Sequence, residues 1–264
     1  MDLQLANKSV LITGSTGGIG FAAASIFAQE GAEVTINGRS RERVDEAIRR
    51  IRLDHKDARV KGIAADLGTG EGFEVVASSL PAVDILVNNL GIYEVRPFTE
   101  IRDEDWLRFF EINVLSGVRL SRFYMPKMLE NNWGRIVFVS SESGLQIPVE
   151  MIHYGVTKTA QIALARGLAE MTAGTNVTVN SILPGPTRSE GVERFVEDLA
   201  KSQGMEPAEV EREFFRSARP TSILKRFASP REVAAMIVYV CTPSASATNG
   251  SALRVDGGVV RSIV

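Results

Sequence analysis

Tyr154 and Lys158 stand four residues apart in Tyr154-Gly155-Val156-Thr157-Lys158, so a helix through this stretch carries both on one face. A free phenol titrates near pH 10, and only about one in a thousand is ionised at pH 7. A neighbouring ammonium favours the phenolate and brings that pKa down. The pair can then give a proton to a carbonyl or take one from an alcohol. Tyr-x-x-x-Lys also arises by chance in many helices, so its meaning depends on its company. Ser141 precedes Tyr154 by thirteen residues, at the end of an apolar run. A hydroxyl at the carboxyl end of a strand can hydrogen-bond a substrate oxygen. Ser140 and Ser143 compete for that part, and an ordinary turn serine is the alternative. Asn113 is the polar exception in a stretch holding Trp106, Leu107, Phe109, Phe110, Ile112 and Val114. Once buried it must find partners, either as a structural link or as a group that holds water.

A second set of residues suits a phosphate. In Thr13-Gly14-Ser15-Thr16-Gly17-Gly18-Ile19-Gly20 a glycine-rich turn follows an apolar run and precedes an Ala-rich one. Gly14, Gly18 and Gly20, with Ser15, Thr16 and Ile19 between them, let main-chain N–H groups approach a pyrophosphate at a helix N-terminus. The spacing is not G-x-G-x-x-G, and the turn gains force from its place after the first strand. At the end of the second strand an acidic side chain would accept from a ribose 2′-OH, but Gly38 stands there, followed by Arg39 and Ser40. A guanidinium and a hydroxyl suit a 2′-phosphate, which favours NADP(H) and leaves NAD(H) possible. The alternative is a solvated helix start in which Arg39, Arg41 and Arg43 are balanced by Glu42, Asp45 and Glu46. His153 is either a packed or solvent-facing neighbour of Tyr154 or a residue facing substrate. No His, Cys or Asp cluster has metal-ligand spacing.

The elements that must position these groups alternate. Apolar, β-branched runs at 9–13, 33–37, 59–64, 83–88, 135–140, 177–183 and 252–256 read as strands. Helical periods cover 21–29, 41–53, 103–129, 154–171 and 231–241. Strands apolar on both faces and alternating with helices predict an α/β fold. The expectation is a single-domain, Rossmann-type, doubly wound parallel sheet of about seven strands with helices on both faces. The stretch 187–227 breaks the rhythm with two amphipathic stripes, one through Val192, Phe195, Val196 and Leu199, the other through Val210, Phe214 and Phe215. It reads as a helical lid inserted over the carboxyl edge of the sheet, with Val192, Phe195 and Phe214 facing substrate; core or oligomer surface is the alternative.

Composition narrows the class. The chain has 264 residues, 44% hydrophobic and 23% charged, with a formal net charge of −2. That is one sizeable globular core, with no global field for nucleic acid or an anionic membrane. A single cysteine, Cys241, excludes an intrachain disulfide. No apolar run approaches the roughly twenty residues of a membrane span, and the opening Met1-Asp2-Leu3-Gln4 lacks the segments of a secretory leader. A cytoplasmic protein is expected.

Taken in order, these motifs resemble the short-chain dehydrogenase/reductase superfamily over essentially the whole chain, most nearly its 3-oxoacyl-carrier-protein reductases. T-G-x-x-x-G-x-G stands as Thr13–Gly20, N-N-A-G as Asn88-Asn89-Leu90-Gly91, P-G as Pro184-Gly185 and D-G-G as Asp256-Gly257-Gly258. Leu90 departs from the usual alanine. The resemblance implies that Tyr154 is the general acid or base, that Lys158 holds the cofactor ribose, that Ser141 polarises a carbonyl and that Asn113 holds a water leading to Lys158. It implies adenosine-side contacts from Asn89, Gly91, Asp66 and Leu67, further cofactor contacts from Pro184, Gly185 and Thr187, a small carbonyl or alcohol substrate, and a homotetramer. An NAD-linked sugar, polyol or steroid-like alcohol dehydrogenase is the alternative within the family. A non-catalytic dinucleotide-binding regulator is the alternative outside it, and such a protein has no need of both Tyr154 and Lys158.

Overall fold

The computed structural model describes residues 2–263, apart from the side chain of Phe195. Its strands are short apolar runs: β1 (Ser9–Ile12), β2 (Glu33–Gly38), β3 (Arg59–Ala64), β4 (Ile85–Asn88), β5 (Gly134–Val139), β6 (Val177–Pro184) and β7 (Ala252–Val255). They form one sheet in the order β3-β2-β1-β4-β5-β6-β7. Every pairing is parallel; Ile12 of β1 lies between Ile36 of β2 and Val87 of β4. Parallel neighbours need long crossovers, supplied by α1 (Gly18–Gln29), α2 (Arg41–Asp54), α3 (Gly70–Ser79), α4 (Asp103–Phe110), α5 (Ser116–Glu130), α6 (Ile152–Glu170) and α9 (Pro230–Val240).

Alternate strand residues feed two cores. Val10, Ile12, Val34 and Ile36 pack with Phe27, Val44 and Ile237 from α1, α2 and α9. Leu11, Leu86, Ile136 and Phe138 pack with Val76, Leu120, Tyr124 and Ala165 from α3, α5 and α6. The doubly wound sheet is thus the one that the alternation of elements predicts.

Three local features differ from the sequence reading. The crossover from β3 to β4 contains α3, whose two glycines and closing serines hide its helical period; Thr69 caps it by accepting from Gly72 N. The expected helix over 103–129 is interrupted by a π-turn at Glu111–Leu115, with Asn113 at its centre. The two helices after β6, α7 (Glu190–Gln203) and α8 (Pro207–Ser217), close on a small core of their own. Val196, Ala200, Val210, Phe215 and Phe227 form it, with Val192 and Phe214 packed against them. Val192 and Phe214, expected to face substrate, are half-buried and pack against this satellite core; the side chain of Phe195 lies outside the described residues.

Candidate active site

The strand order turns back between β1 and β4, and a doubly wound sheet opens a crevice at such a switch point. Here it is stitched by side chains. Thr13 Oγ1 accepts from Asn89 N and Leu90 N, both at 2.9 Å. Asn89 Nδ2 donates to Thr13 O at 2.9 Å and Gly14 O at 3.0 Å. Gly14 and Gly18 have φ of 58° and 56°, a left-handed conformation that side chains resist. The N-cap of α1, Gly17, offers no side chain to the first-turn N–H groups, so a ligand can take them.

Beside this turn, Lys158 and Asn113 sit in a buried polar frame. Lys158 Nζ donates to Val139 O at 2.9 Å and Gln161 Oε1 at 3.0 Å. Gln161 Nε2 in turn donates to Asn113 O at 2.5 Å. The Asn113 side chain is fully engaged. Its Oδ1 accepts from Ile92 N at 2.8 Å, and its Nδ2 donates to Ile92 O and Thr157 Oγ1, both at 3.0 Å. The Asn113 side chain thus links α4–α5 to Ile92 and α6, and its main-chain carbonyl faces Gln161, itself a partner of Lys158. A π-turn is what aims side chain and carbonyl in these different directions. Burial pulls the Lys158 ammonium down to about 7. Two of its three protons are committed, leaving one for a ligand.

Tyr154 lies on the same helix, with Lys158 Nζ 5.6 Å from its ring centroid. Burial raises its phenol above the ordinary range; a hydrogen bond shared with Ser141 opposes this, Glu142 and Tyr93 add to it, and Arg219 lowers it. Burial, not the lowering expected from Lys158, sets the direction of the Tyr154 shift. The Tyr93 ring is 6.4 Å from that of Tyr154 and lies between it and the start of α7. Ser141 Oγ accepts from Ser143 N at 3.1 Å and donates to Glu142 Oε2. Ser140 is removed from contention, since its hydroxyl donates to Lys158 O at 2.7 Å.

Other expected residues fall in varied places. Ser15 is fully buried, its hydroxyl donating to Ile12 O and accepting from Asn37 N and its own N–H bound to Asn37 O, so it offers no polar group to the crevice. Gly91 stands at the Lys158 end and not on an adenosine side: a Cβ there would lie 3.3 Å from Nζ. The Leu67 side chain belongs to the core, and Asp66 is exposed with Oδ1 accepting from Gly68 N. Gly185 packs on the Asp256 main chain, a Cβ there meeting its carbonyl at 2.5 Å. Thr187 Oγ1 donates to Gly185 O at 2.9 Å. Arg39 is exposed, without an ion pair or hydrogen bond among the described residues. His153 points away from the cleft, fully buried with its ring 4.0 Å from that of Phe109 and neither nitrogen bonded. Burial lowers its pKa. Among the described residues no three His, Cys, Asp or Glu side chains gather as metal ligands, and no helix is long and apolar enough to cross a membrane.

The short chain dehydrogenase family profile matches residues 8–200. The chain belongs to that family. It is 47% identical over 263 residues to an uncharacterized oxidoreductase, YvaG, of Bacillus subtilis, with 100% of both chains covered. It is 31% identical to the 3-oxoacyl-[acyl-carrier-protein] reductase FabG of Aquifex aeolicus, covering 98% of this chain and 100% of the other. The structure of L-sorbose reductase from Gluconobacter frateurii, complexed with NADPH and L-sorbose, superposes with a TM-score of 0.92 at 34% identity over 100% of both chains. This dehydrogenase-family chain is thus an oxidoreductase of the alcohol–carbonyl couple, with a crevice for a nicotinamide dinucleotide. Sequence reasoning missed Gln161, Thr157, Glu142 and Arg219. Only Gln161 carried a signal, as the polar residue three positions after Lys158 in an otherwise apolar stretch.

Proposed function

We propose that this chain is an NADP(H)-dependent reductase of a small carbonyl compound, with Tyr154 as general acid, working as a cytoplasmic homotetramer. The observation that carries the reading is the convergence of Tyr154, Ser141 and Lys158 beside the uncapped N-terminus of α1. That cradle fits a dinucleotide. Main-chain N–H groups of Thr16, Gly18, Ile19 and Gly20, with Gly14 allowing their approach, would hold the pyrophosphate, and the unpaired Arg39 the 2′-phosphate. Asp66, Leu67 and Asn89 would border the adenosine, Lys158 would hold the nicotinamide ribose, and Gly91, Pro184, Gly185 and Thr187 would line the nicotinamide end. The bound dinucleotide supplies the hydride.

The chain supplies the proton and the geometry. Ser141 turns its hydroxyl from Glu142 to a substrate oxygen, which polarises the carbonyl. Tyr154, held protonated by burial, releases its proton to that oxygen as negative charge develops there. Lys158 stabilises the resulting phenolate, held in place by Gln161, which accepts from it and donates to the Asn113 carbonyl, and Tyr154 is reprotonated from solvent. A hydroxylated ketone is the compound class to try first, since the L-sorbose reductase shares both fold and length. Exposed Leu107, Leu115 and Phe123 on the α4–α5 limb support a partner surface; a monomer mass by light scattering at micromolar protein would remove that part.

The test is a panel of ketones and alcohols with NADPH and NADH, followed at the nicotinamide absorption band. Tyr154→Phe should lower turnover by about two to four powers of ten and keep dinucleotide affinity within severalfold. Near-normal turnover in a folded Tyr154→Phe protein would overturn the assignment.

A further inference from the structure

Ser141 is joined to a buried charge. Glu142 is 4% exposed, and its Oε2 accepts from the Ser141 hydroxyl, from Ser143 N at 2.8 Å and from Ser143 Oγ at 3.1 Å. Its Oε1 accepts from Arg219 Nε at 3.2 Å and from no other donor among the described residues. Arg219 is 9% exposed and comes from the segment after α8, where its Nη1 donates to Glu150 Oε1 at 3.0 Å and Ala218 O at 2.8 Å. Its Nη2 has no hydrogen-bond partner among the described residues, yet it is not sealed from solvent, so a ligand can reach it. The turn that carries Glu142 (Glu142–Gly144) packs on the start of α6, next to Tyr154 in the chain. A Cβ on Gly155 would lie 3.0 Å from Ser143 O, and Thr159 Oγ1 donates to Gly144 O at 2.8 Å. A buried ion pair adds little net stability over an apolar pair of like volume. Stability alone is therefore a poor account of a carboxylate placed against the serine of the site.

We propose that Glu142 and Arg219 form a hydroxyl-recognising subsite, which selects a neutral ketone carrying a hydroxyl on the carbon next to its carbonyl. The proposal rests on the reading that Ser141 binds the substrate carbonyl. To do so Ser141 must turn its single proton away from Glu142. The carboxylate then gives up a charge-assisted bond, and a buried charge with one donor fewer is costly. The carbonyl oxygen and Glu142 Oε2 are partners of the same Ser141 oxygen, so groups on neighbouring carbons of one substrate can reach both. A hydroxyl on the adjacent carbon donates to Glu142 in place of Ser141, and its own oxygen can accept from Arg219 Nη2.

Other groups fare worse in that position. An alkyl group returns no bond to the carboxylate. A substrate carboxylate meets a net negative subsite, because Glu142 and Glu150 share the single positive charge of Arg219. Like charges at such short range repel strongly where water is scarce. The subsite therefore reads hydroxyl over alkyl through a hydrogen bond, and hydroxyl over carboxylate through charge.

Hydroxyacetone, butanone and pyruvate test both readings, since they present a hydroxymethyl, an ethyl or a carboxylate group beside the same acetyl group. The wild type should favour hydroxyacetone in kcat/KM. Glu142→Gln should cut its preference over butanone by about tenfold, the scale of a charge-assisted bond made neutral. The same variant should raise pyruvate relative to hydroxyacetone by about tenfold, whereas Arg219→Met, which leaves the carboxylates unopposed, should lower it by about tenfold. A merely structural pair would lower all three substrates together. Binding gives a readout without turnover: in the Tyr154→Phe protein loaded with its preferred dinucleotide, saturation-transfer NMR yields a Kd for each compound, and the Kd ratios should move likewise. A wild type that does not favour hydroxyacetone, unmoved ratios in Glu142→Gln, or pyruvate shifts of the same sign in both variants would overturn the proposal. If Glu142→Gln does not fold, Arg219→Met decides, a further loss of pyruvate supporting the subsite and any other result overturning it. Undiminished turnover in Ser141→Ala would instead defeat the role given to Ser141, and the Kd ratios would still judge Glu142 and Arg219.

Discussion

The frame around Lys158 and the α7–α8 insert are built in opposite ways. Lys158, Gln161, Asn113 and Thr157 are each exposed by 4% or less, and every one of their side chains is hydrogen-bonded. Helices α7 and α8 keep a small apolar core to themselves, while the chain that follows them is anchored by the buried Arg219–Glu142 pair and by Ile223 N and Leu224 N donating to Gly257 O. At the start of α7 Glu190 meets Arg43 at 3.5 Å and Arg50 at 3.9 Å, all three side chains 43–59% exposed. Buried, mutually satisfied polar groups tolerate little relaxation, whereas exposed ion pairs exchange readily with water. Proton chemistry needs the first kind of construction, and the second leaves α7 and α8 freer to move than the frame.

Removing the centre of the rigid frame should have the largest effect. Lys158→Met should cost about a thousandfold in turnover. The pH dependence has a definite sign. Free Lys158 is held down to about 7 by burial, and a bound ribose and phosphates favour the ammonium, so the bound pKa lies above the free one. Between the two, the complex holds a proton that the free protein lacks. Dinucleotide binding should therefore take up protons above pH 7, and affinity should fall as pH rises through that window. Titration calorimetry in buffers of different ionisation enthalpy measures the uptake, and Lys158→Met should abolish it. Equal uptake in the variant would place the proton elsewhere. The same depression makes the empty protein gain stability from pH 7 up to the ordinary lysine range, where the unfolded chain still holds the proton.

Arg39 tests the boundary between the two constructions, since it is attached to the rigid sheet yet has no partner of its own. Arg39→Ala should weaken NADPH by about tenfold to a hundredfold and leave NADH within about twofold, the scale of a hydrogen bond to a charged group. Equal losses for both would show that Arg39 does not meet a 2′-phosphate. An acidic residue at Gly38 is a poorer probe, because even its Cβ would lie 2.5 Å from Thr16 Cγ2.

What was legible in the sequence follows the same division. Strand ends came within a residue or two, because each apolar run stops at a glycine or polar residue, as β1 does before Gly14. Tyr154 and Lys158 were readable because helical spacing alone puts them on one face. The π-turn at Asn113 was not, since apolar periodicity does not distinguish a helix from one with an extra residue in a turn. Helix α3 escaped because Gly70, Gly72 and two serines mask it, although a parallel β3–β4 order requires a crossover. Arg219 was beyond reach: it meets Glu142 across 77 positions, and only the fold of the insert brings them together.

The smallest effects are expected in the insert itself. Glu190 lies over the glycine turn, where a Cβ on Gly17 would be 3.1 Å from its Oε1. A carboxylate there repels an incoming pyrophosphate, while its exposed pairs with Arg43 and Arg50 are worth about 1 kcal/mol at most. Glu190→Gln should therefore tighten dinucleotide binding by no more than about threefold, and raised salt should shrink the difference from the wild type. Helices α7 and α8 can then move against the sheet on the segment that follows them, which Arg219 and the main-chain bonds of Ile223 and Leu224 to Gly257 hold in place. Amides of α7 and α8 should exchange hydrogen fast in the free protein, well ahead of those in β4 and β5, and slow when dinucleotide and substrate are both bound. The apolar contacts of Phe215 and Phe227 with Val196 hold the two helices to each other, so the protection gained should rise together across both helices. Strong and equal protection with and without ligands would make the insert a permanent part of the core and remove it from the working cycle.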